Sequence, residues 1–255
     1  MRWTLAFSDE FDGPAVESAR WNLANPLDRI INHELQAYVP DAVRVRAGML
    51  ELTATRAPNA YRGKMLPFSS GTVTTHGKFA FSSGRVDVRA KLPRGKGLWP
   101  AFWLLPESLE WPPEIDLFEV RGHAPDALHQ TVHWRDPERG PQFDTAQHLG
   151  PDLSAGFHEF RLEWKPDEIV WFLDGTETRR ATRRIPATPM YLNAALAVGG
   201  DFPGAPDEST LFPATLEIDY VRVFRWVPEA PEDRPLGSLP NEMLKPSIDP
   251  LGSRK

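Results

Sequence analysis

The chain has 255 residues, 41% of them hydrophobic and 25% charged, a balance ordinary for a globular protein and long enough to bury a core as one β-rich domain or two smaller ones. Its formal net charge of -6 argues against a polyanionic partner such as nucleic acid, the absence of Cys excludes disulfides and thiolate ligands, and no apolar run reaches the length of a membrane span. The unusual counts are 26 Pro and 9 Trp; so many prolines disfavour long helices and suit short strands joined by turns.

The opening "MRWTLAFSDEFDG" reaches Asp9 and Glu10 before a signal-like apolar stretch can form, so no export signal is expected in the chain as it stands. A trimmed leader would leave the same start, and the compartment stays open. "GKFAFSSGRVDVRAKL" (77–92) alternates on both sides of Ser82-Ser83-Gly84. "FHEFRLEWKPDEIVWFLDGTETRR" (157–180) reads as strand, turn, strand and an Asp174-Gly175 turn. "MYLNAALAV" (190–198) suits either a helix or a buried strand, and "ATLEIDYVRVFRW" (214–226) alternates again. No repeat recurs at a fixed period. Strands punctuated by turns predict an all-β antiparallel sandwich or jelly roll. Residues 227–255 hold six prolines and no aromatic residue, so they cannot build a core of their own. They are expected as a tail, extended or disordered, after a globular domain over residues 1–226.

One stretch carries chemistry. In "WPPEIDLFEV" (111–120) three carboxylates interrupt an apolar strand. Alternation puts Glu114, Asp116 and Phe118 on one face and Ile115 and Leu117 on the other. Glu119 has the wrong parity, and reaches the face of Glu114 only if the strand holds one extra residue, a β-bulge of the kind found beside active sites. A second Glu-Ile-Asp at Glu217 to Asp219 lacks the third carboxylate, having Arg222 in its place, so the tripeptide alone says little. The first copy differs because Trp99, Trp103 and Trp111 lie just upstream, and indoles at a concave surface stack on the apolar faces of sugar rings while carboxylates and amides take the hydroxyls.

"WPPEIDLFEV" resembles the active-site strand of glycoside hydrolase family 16, in the bulged Glu-x-Asp-x-x-Glu form of laminarinase-like members. The blocks "FSDEFDG", "NHELQAYV", "GRVDVRAKLPRGKGLWPAFWLLP", "ALHQTVHW", "LNAALAVGGDFPG" and "FPATLEIDYVRVF" are similar to family segments in family order. The resemblance implies a β-jelly-roll sandwich of two curved antiparallel sheets with a substrate cleft on the concave face, and an endo-acting retaining hydrolase of β-glucan, cutting β-1,3 linkages. Other β-glycans (mixed-linkage glucan, exopolysaccharide, galactan) and a non-catalytic carbohydrate-binding jelly roll are the alternatives. It also implies roles: Glu114 as nucleophile, Glu119 as acid/base, Asp116 between them, and Asn32, Trp99, Trp103, Trp111, His129 and His133 toward the sugar. Trp103 is expected to be the most structural of the indoles. The resemblance further implies a structural Ca²⁺ held by Glu10, the Gly48 carbonyl and Asp219 and no cofactor for catalysis; charge and hydropathy predict no nucleic-acid or membrane partner, and the chain is expected as a monomer.

Overall fold

The computed structural model describes residues 2–27 and 29–227. Two antiparallel sheets stack face to face. The outer sheet runs, in spatial order, through Thr176–Ala181, Ile169–Leu173, His158–Trp164, Gly84–Lys91, Ala214–Val227, Met49–Ala54 and Val43–Arg46, with Arg2–Asp9 also paired to Ala214–Val227. The other sheet runs Gly140–Leu149, Ala127–Asp136, Glu114–Val120, Leu98–Pro106, Met190–Val198 and Thr72–Thr74, with Ala80–Phe81 also on Met190–Val198. This is the expected all-β jelly-roll sandwich.

Alternation explains the outer sheet. Along Gly84–Lys91, Val86, Val88 and Ala90 are fully buried, while Arg85 and Asp87 pair on the other face at 2.9 Å. The ladder continues through Arg161 to Asp87 at 2.8 Å, Arg89 to Asp219 at 2.6 Å and Lys91 to Glu217 at 3.8 Å. The second Glu-Ile-Asp is thus part of a charged outer surface. Asp174 and Gly175 both have positive φ, 49° and 79°, as a two-residue hairpin with right-handed strand twist requires. Ser82-Ser83-Gly84 makes a corner instead: Ala80–Phe81 belongs to one sheet and Gly84–Lys91 to the other.

Met190–Val198 settles as a strand with all nine residues buried. It lies between Leu98–Pro106 and Thr72–Thr74, so neighbours satisfy its backbone on both edges and its continuous apolar sequence needs no solvent face. The core between the sheets is anchored by Phe102, Phe118, Phe160, Trp164 and Trp171, all fully buried. The last strand runs through Val227, one residue beyond the expected boundary, with Trp226 packed edge-on against Trp3 at 4.5 Å. The rest of the expected tail, residues 228–255, lies outside the described residues.

Candidate active site

Glu114 lies opposite His133 and Asp116 opposite Thr131, a regular two-residue step; Glu119, three positions further on, lies opposite His129. The acidic strand therefore spends one residue more than its partner. On its other edge Asp116 faces Trp103 and Phe118 faces Phe102, which leaves Leu117 as the extra residue. Ile115, Leu117, Phe118 and Val120 all enter the core. Phe118 thereby leaves the face that strict alternation assigns it, and Glu119 takes its place beside Glu114. The bulge that a shared face demands, and that the family resemblance implies, is present.

Above this strand a cleft of about 440 Å³ is lined by Glu114, Glu119, Asn32, Trp99, Trp103, Trp111, His129 and His133. Asp116, 2% exposed, sits in a deeper annex floored by Ala195 and Ala197. The structure therefore brings together every predicted catalytic and substrate-binding residue. Trp111 Nε1 donates to Glu114 Oε2 at 2.5 Å and Trp99 Nε1 to Glu119 Oε1 at 3.2 Å. Trp103 is partly buried opposite Asp116 and Asn193. His133 Nε2 is 3.2 Å from Asp116 Oδ2.

Burial dominates the electrostatics. It pushes Glu114 up to about 8, with the neighbouring Asp116 charge adding to the rise and His133 and the Trp111 indole opposing it. Burial also pushes Glu119 up to about 8, aided by Glu114 and opposed by Trp99. Asp116 is raised well above the carboxylate range, first by burial and then by Glu119. Three carboxyls that each resist charge, and resist it more when a neighbour is charged, titrate as one cluster, in which ionising one member helps the others keep a proton. Burial lowers both His129 and His133, which keeps the imidazoles neutral.

Coupled carboxyls that share protons between indole walls suit glycoside cleavage, which needs one charged and one protonated. The sequence profile of glycosyl hydrolases family 16 matches residues 33–222. The chain belongs to that family. It is 34% identical to a β-glucanase of Rhodothermus marinus, over 88% of this chain and 86% of the relative. It is 35% identical to an endo-1,3-1,4-β-glycanase of Rhizobium meliloti over 87% of its length, but spans only 50% of that longer protein. Among solved structures, the laminarinase catalytic domain of Thermotoga maritima superposes with a TM-score of 0.81 at 32% identity, covering 89% of this chain and 100% of the other. The family places this chain among the glycoside hydrolases.

The family-16 cleft has parts that sequence reasoning passed over. Glu34 is a fourth carboxylate of the cleft, 8% exposed in the annex, raised by burial and held by Gln36 Nε2 at 2.6 Å and Asn32 Nδ2 at 3.3 Å. Its signal was present: Glu34, Gln36 and Tyr38 alternate in "NHELQAY". Asn32 and His33 both have positive φ, and Gly199-Gly200-Asp201 fixes them: Asp201 N donates to the Asn32 carbonyl at 2.9 Å and its carboxylate meets His33 Nδ1 at 2.8 Å. A side chain on Gly200 would meet the Asn32 carbonyl at 2.7 Å, so glycine is what lets this loop close on the cleft. Phe202, next along, contacts both Trp99 and His129, with ring centres 5.2 and 5.0 Å away.

The expected calcium ligands do not fit a cation site. Glu10 is gripped by Arg222 through Nε at 2.9 Å and a terminal nitrogen at 2.7 Å, and Asp219 is bound by Arg89. Two guanidinium charges already balance the two carboxylates. Gly48 has φ 74° after Ala47 at 52°, which accounts for it as the second residue of the hairpin turn between Val43–Arg46 and Met49–Ala54. Among the described residues, Glu114, Asp116 and His133 have metal-type ligand atoms within 4.8 Å of one another, and these belong to the carboxylate cluster itself.

Proposed function

We propose that this chain is an endo-acting, retaining β-glucan hydrolase that cuts β-1,3-glucosidic linkages of laminarin-type polymers. The observation that carries the reading is the bulge that puts Glu114 and Glu119 on one cleft face between indoles. Double displacement needs a nucleophile and an acid about 5–5.5 Å apart. Glu114 attacks the anomeric carbon, and the departing oxygen takes the proton of Glu119. Glu119, now charged, removes a proton from water, which attacks the same carbon and frees Glu114. The division of labour is the one the family strand implies, with the first Glu as nucleophile and the last as acid/base; each accepts a hydrogen bond from an indole, Glu114 from Trp111 and Glu119 from Trp99. Asp116 lies between them, its proton affinity raised by burial and by Glu119 and its carboxyl 3.2 Å from His133 Nε2; when it ionises it raises the proton affinity of Glu114. One chain supplies every residue used, so a monomer suffices, with no cofactor in the reaction. The calcium expectation is not carried into this reading.

The β-1,3 preference draws on the named activities of the relatives, one of which is a 1,3-1,4-glycanase. A reducing-sugar assay on laminarin, mixed-linkage glucan, cellulose and galactan tests it. Laminarin should release oligosaccharides fastest, with a rapid fall in viscosity. Faster release from galactan or from mixed-linkage glucan would replace the substrate; no release from any, with sugar binding intact, would make the chain a carbohydrate-binding module.

A further inference from the structure

The register of the cleft sheet sets out three lateral rows from the acidic strand to the free edge. Glu114 lies opposite His133, which lies opposite Phe143; Asp116 leads to Thr131 and Thr145; Glu119 leads to His129 and Gln147. The outermost strand, Gly140–Leu149, therefore presents Phe143, Thr145 and Gln147 on the cleft face. All three are exposed. Its opposite face is occupied differently, with Asp144 bonded to Arg179 at 2.9 Å.

Phe143 is 65% exposed, on an edge strand where a bare aromatic ring is a liability for pairing with other chains. Two features set it apart from a stray surface ring. It lines the same cavity as Glu114 and Glu119, and it continues an aromatic run, with Trp111 to His133 at 5.9 Å and His133 to Phe143 at 5.8 Å between ring centres. Thr145 is oriented by a 2.9 Å hydrogen bond between its hydroxyl and that of Thr131. A ring that stacks, flanked two residues away by a hydroxyl and then an amide, is the donor set that grips a hexose: an apolar face and a rim of hydroxyls. Two strand spacings, about 9–10 Å, separate Phe143 from the backbone of Glu114, which puts it past the sugar under attack and against one further along the same polymer.

We propose that Phe143, with Thr145 and Gln147, forms an outer sugar subsite on the edge strand, on the side of the cleft away from Asn32, and that Phe143 is its stacking platform. This rests on the proposed β-glucan reading and deepens it. The subsite binds an unreacting sugar of the polymer, so it favours long chains over short ones.

The test measures KM and kcat on laminarin and on β-1,3-oligosaccharides of increasing length, for the parent and for Phe143→Ala, Phe143→Leu and Phe143→Trp, each checked for a parent-like melting temperature. In parallel, the same oligosaccharides are titrated into Glu114→Gln protein with and without Phe143→Ala. The parent should gain affinity at the chain length that first reaches the edge strand. Phe143→Ala and Phe143→Leu should lose that step, with KM on laminarin raised about tenfold and kcat changed far less, while Phe143→Trp keeps it. An unchanged length dependence in Phe143→Ala, or full retention in Phe143→Leu, overturns the subsite while leaving the substrate reading intact. A parent that neither binds nor cuts any β-1,3-glucan overturns both.

Discussion

Glu114 and Glu119 stand five positions apart and share one face because Leu117 finds no partner between them. An even separation would have needed no bulge. Substituting Glu114→Gln removes the attacking charge and keeps the shape, so turnover should fall by several orders of magnitude with the melting temperature retained or raised. Glu119→Ala should be nearly as slow on laminarin, yet azide should revive it on a substrate with a good leaving group, giving a glycosyl azide. Activity of Glu114→Gln within tenfold of the parent, or no azide product from Glu119→Ala, would reverse the roles.

Deleting Leu117 gives a sharper test of parity. The shortened strand reads Glu-Ile-Asp-Phe-Glu-Val, in which simple alternation puts all three carboxylates on one face and Ile, Phe and Val in the core. The protein loses a fully buried leucine, a cost of about 2–5 kcal/mol, but keeps both carboxyls in the cleft. Hydrolysis by the deletion variant should exceed the Glu119→Ala background without azide. Inserting Ala between Phe118 and Glu119 instead sends Glu119 toward the core and should abolish activity. Equal rates for the two length variants would remove the parity account.

Stability should fall as pH rises. Burial raises Glu114 and Glu119 to about 8, and Asp116 in the same direction, so between roughly pH 4.5 and 8 the folded chain binds more protons than the unfolded one, and the linkage makes unfolding easier as those protons leave. The effect is greatest below the unfolded value and lost on passing through the folded one. Because Glu114 and Glu119 open onto the cleft, water reduces it. Glu119→Gln should therefore raise the melting temperature at pH 8 by a few degrees, about 2–4 °C for each kcal/mol in a domain of this size, and by less at pH 5. A larger gain at pH 5 than at pH 8 would contradict the sign.

Chelation should leave the melting curve unchanged. Glu10 and Asp219 are balanced by Arg222 and Arg89, and both pairs are partly exposed, so each contributes no more than about 1 kcal/mol. Arg222→Gln should lower stability only slightly. A rise of several degrees on adding calcium to EDTA-treated protein would restore the cation site.

Much of this was legible beforehand, and the reasons differ by residue. Parity made a bulge the condition for Glu114 and Glu119 to share a face, and the resemblance to the family strand supplied the expectation that they do. The Trp cluster was visible as composition. Glu34 is marked only by a short alternation with Gln36 and Tyr38, and no second carboxylate falls on that face to suggest chemistry. Phe143 was hidden for a related reason: its neighbours in the cleft, His133 and Glu114, are matched to it by cross-strand register, which a linear pattern does not reveal. The partners of Glu10 and Asp219 were hidden for the same reason, being set by what lies on adjacent strands, here Arg222 and Arg89.

Arg179 shows how far that support extends. It is 8% exposed, on the edge strand of the outer sheet, yet it reaches across to the cleft sheet. It donates to the Gln130 carbonyl and, at 2.9 Å, to the carbonyl and carboxylate of Asp144. Its guanidinium lies 4.9 Å from the centre of the Trp171 ring, whose indole N–H donates to the Asp116 carbonyl at 2.9 Å. Gln130 separates His129 from Thr131, the partners of Glu119 and Asp116, so Arg179 supports the bulged strand both from below, through Trp171, and from the side. Its charge also lowers the proton affinity of Asp116. Arg179→Met would leave the two carbonyls without this donor, a cost of about 1–3 kcal/mol for each that stays dry. The melting temperature should fall by several degrees. Activity under conditions where the variant remains folded should fall as well, through kcat more than KM, and the activity profile should shift to higher pH as Asp116 and its coupled neighbours hold their protons more tightly. Arg179→Lys, which keeps the charge but not the fork, should restore the pH profile better than the stability. A variant with lowered stability, unchanged kcat and an unchanged pH profile would reduce Arg179 to a structural tie with no hold on the carboxylates.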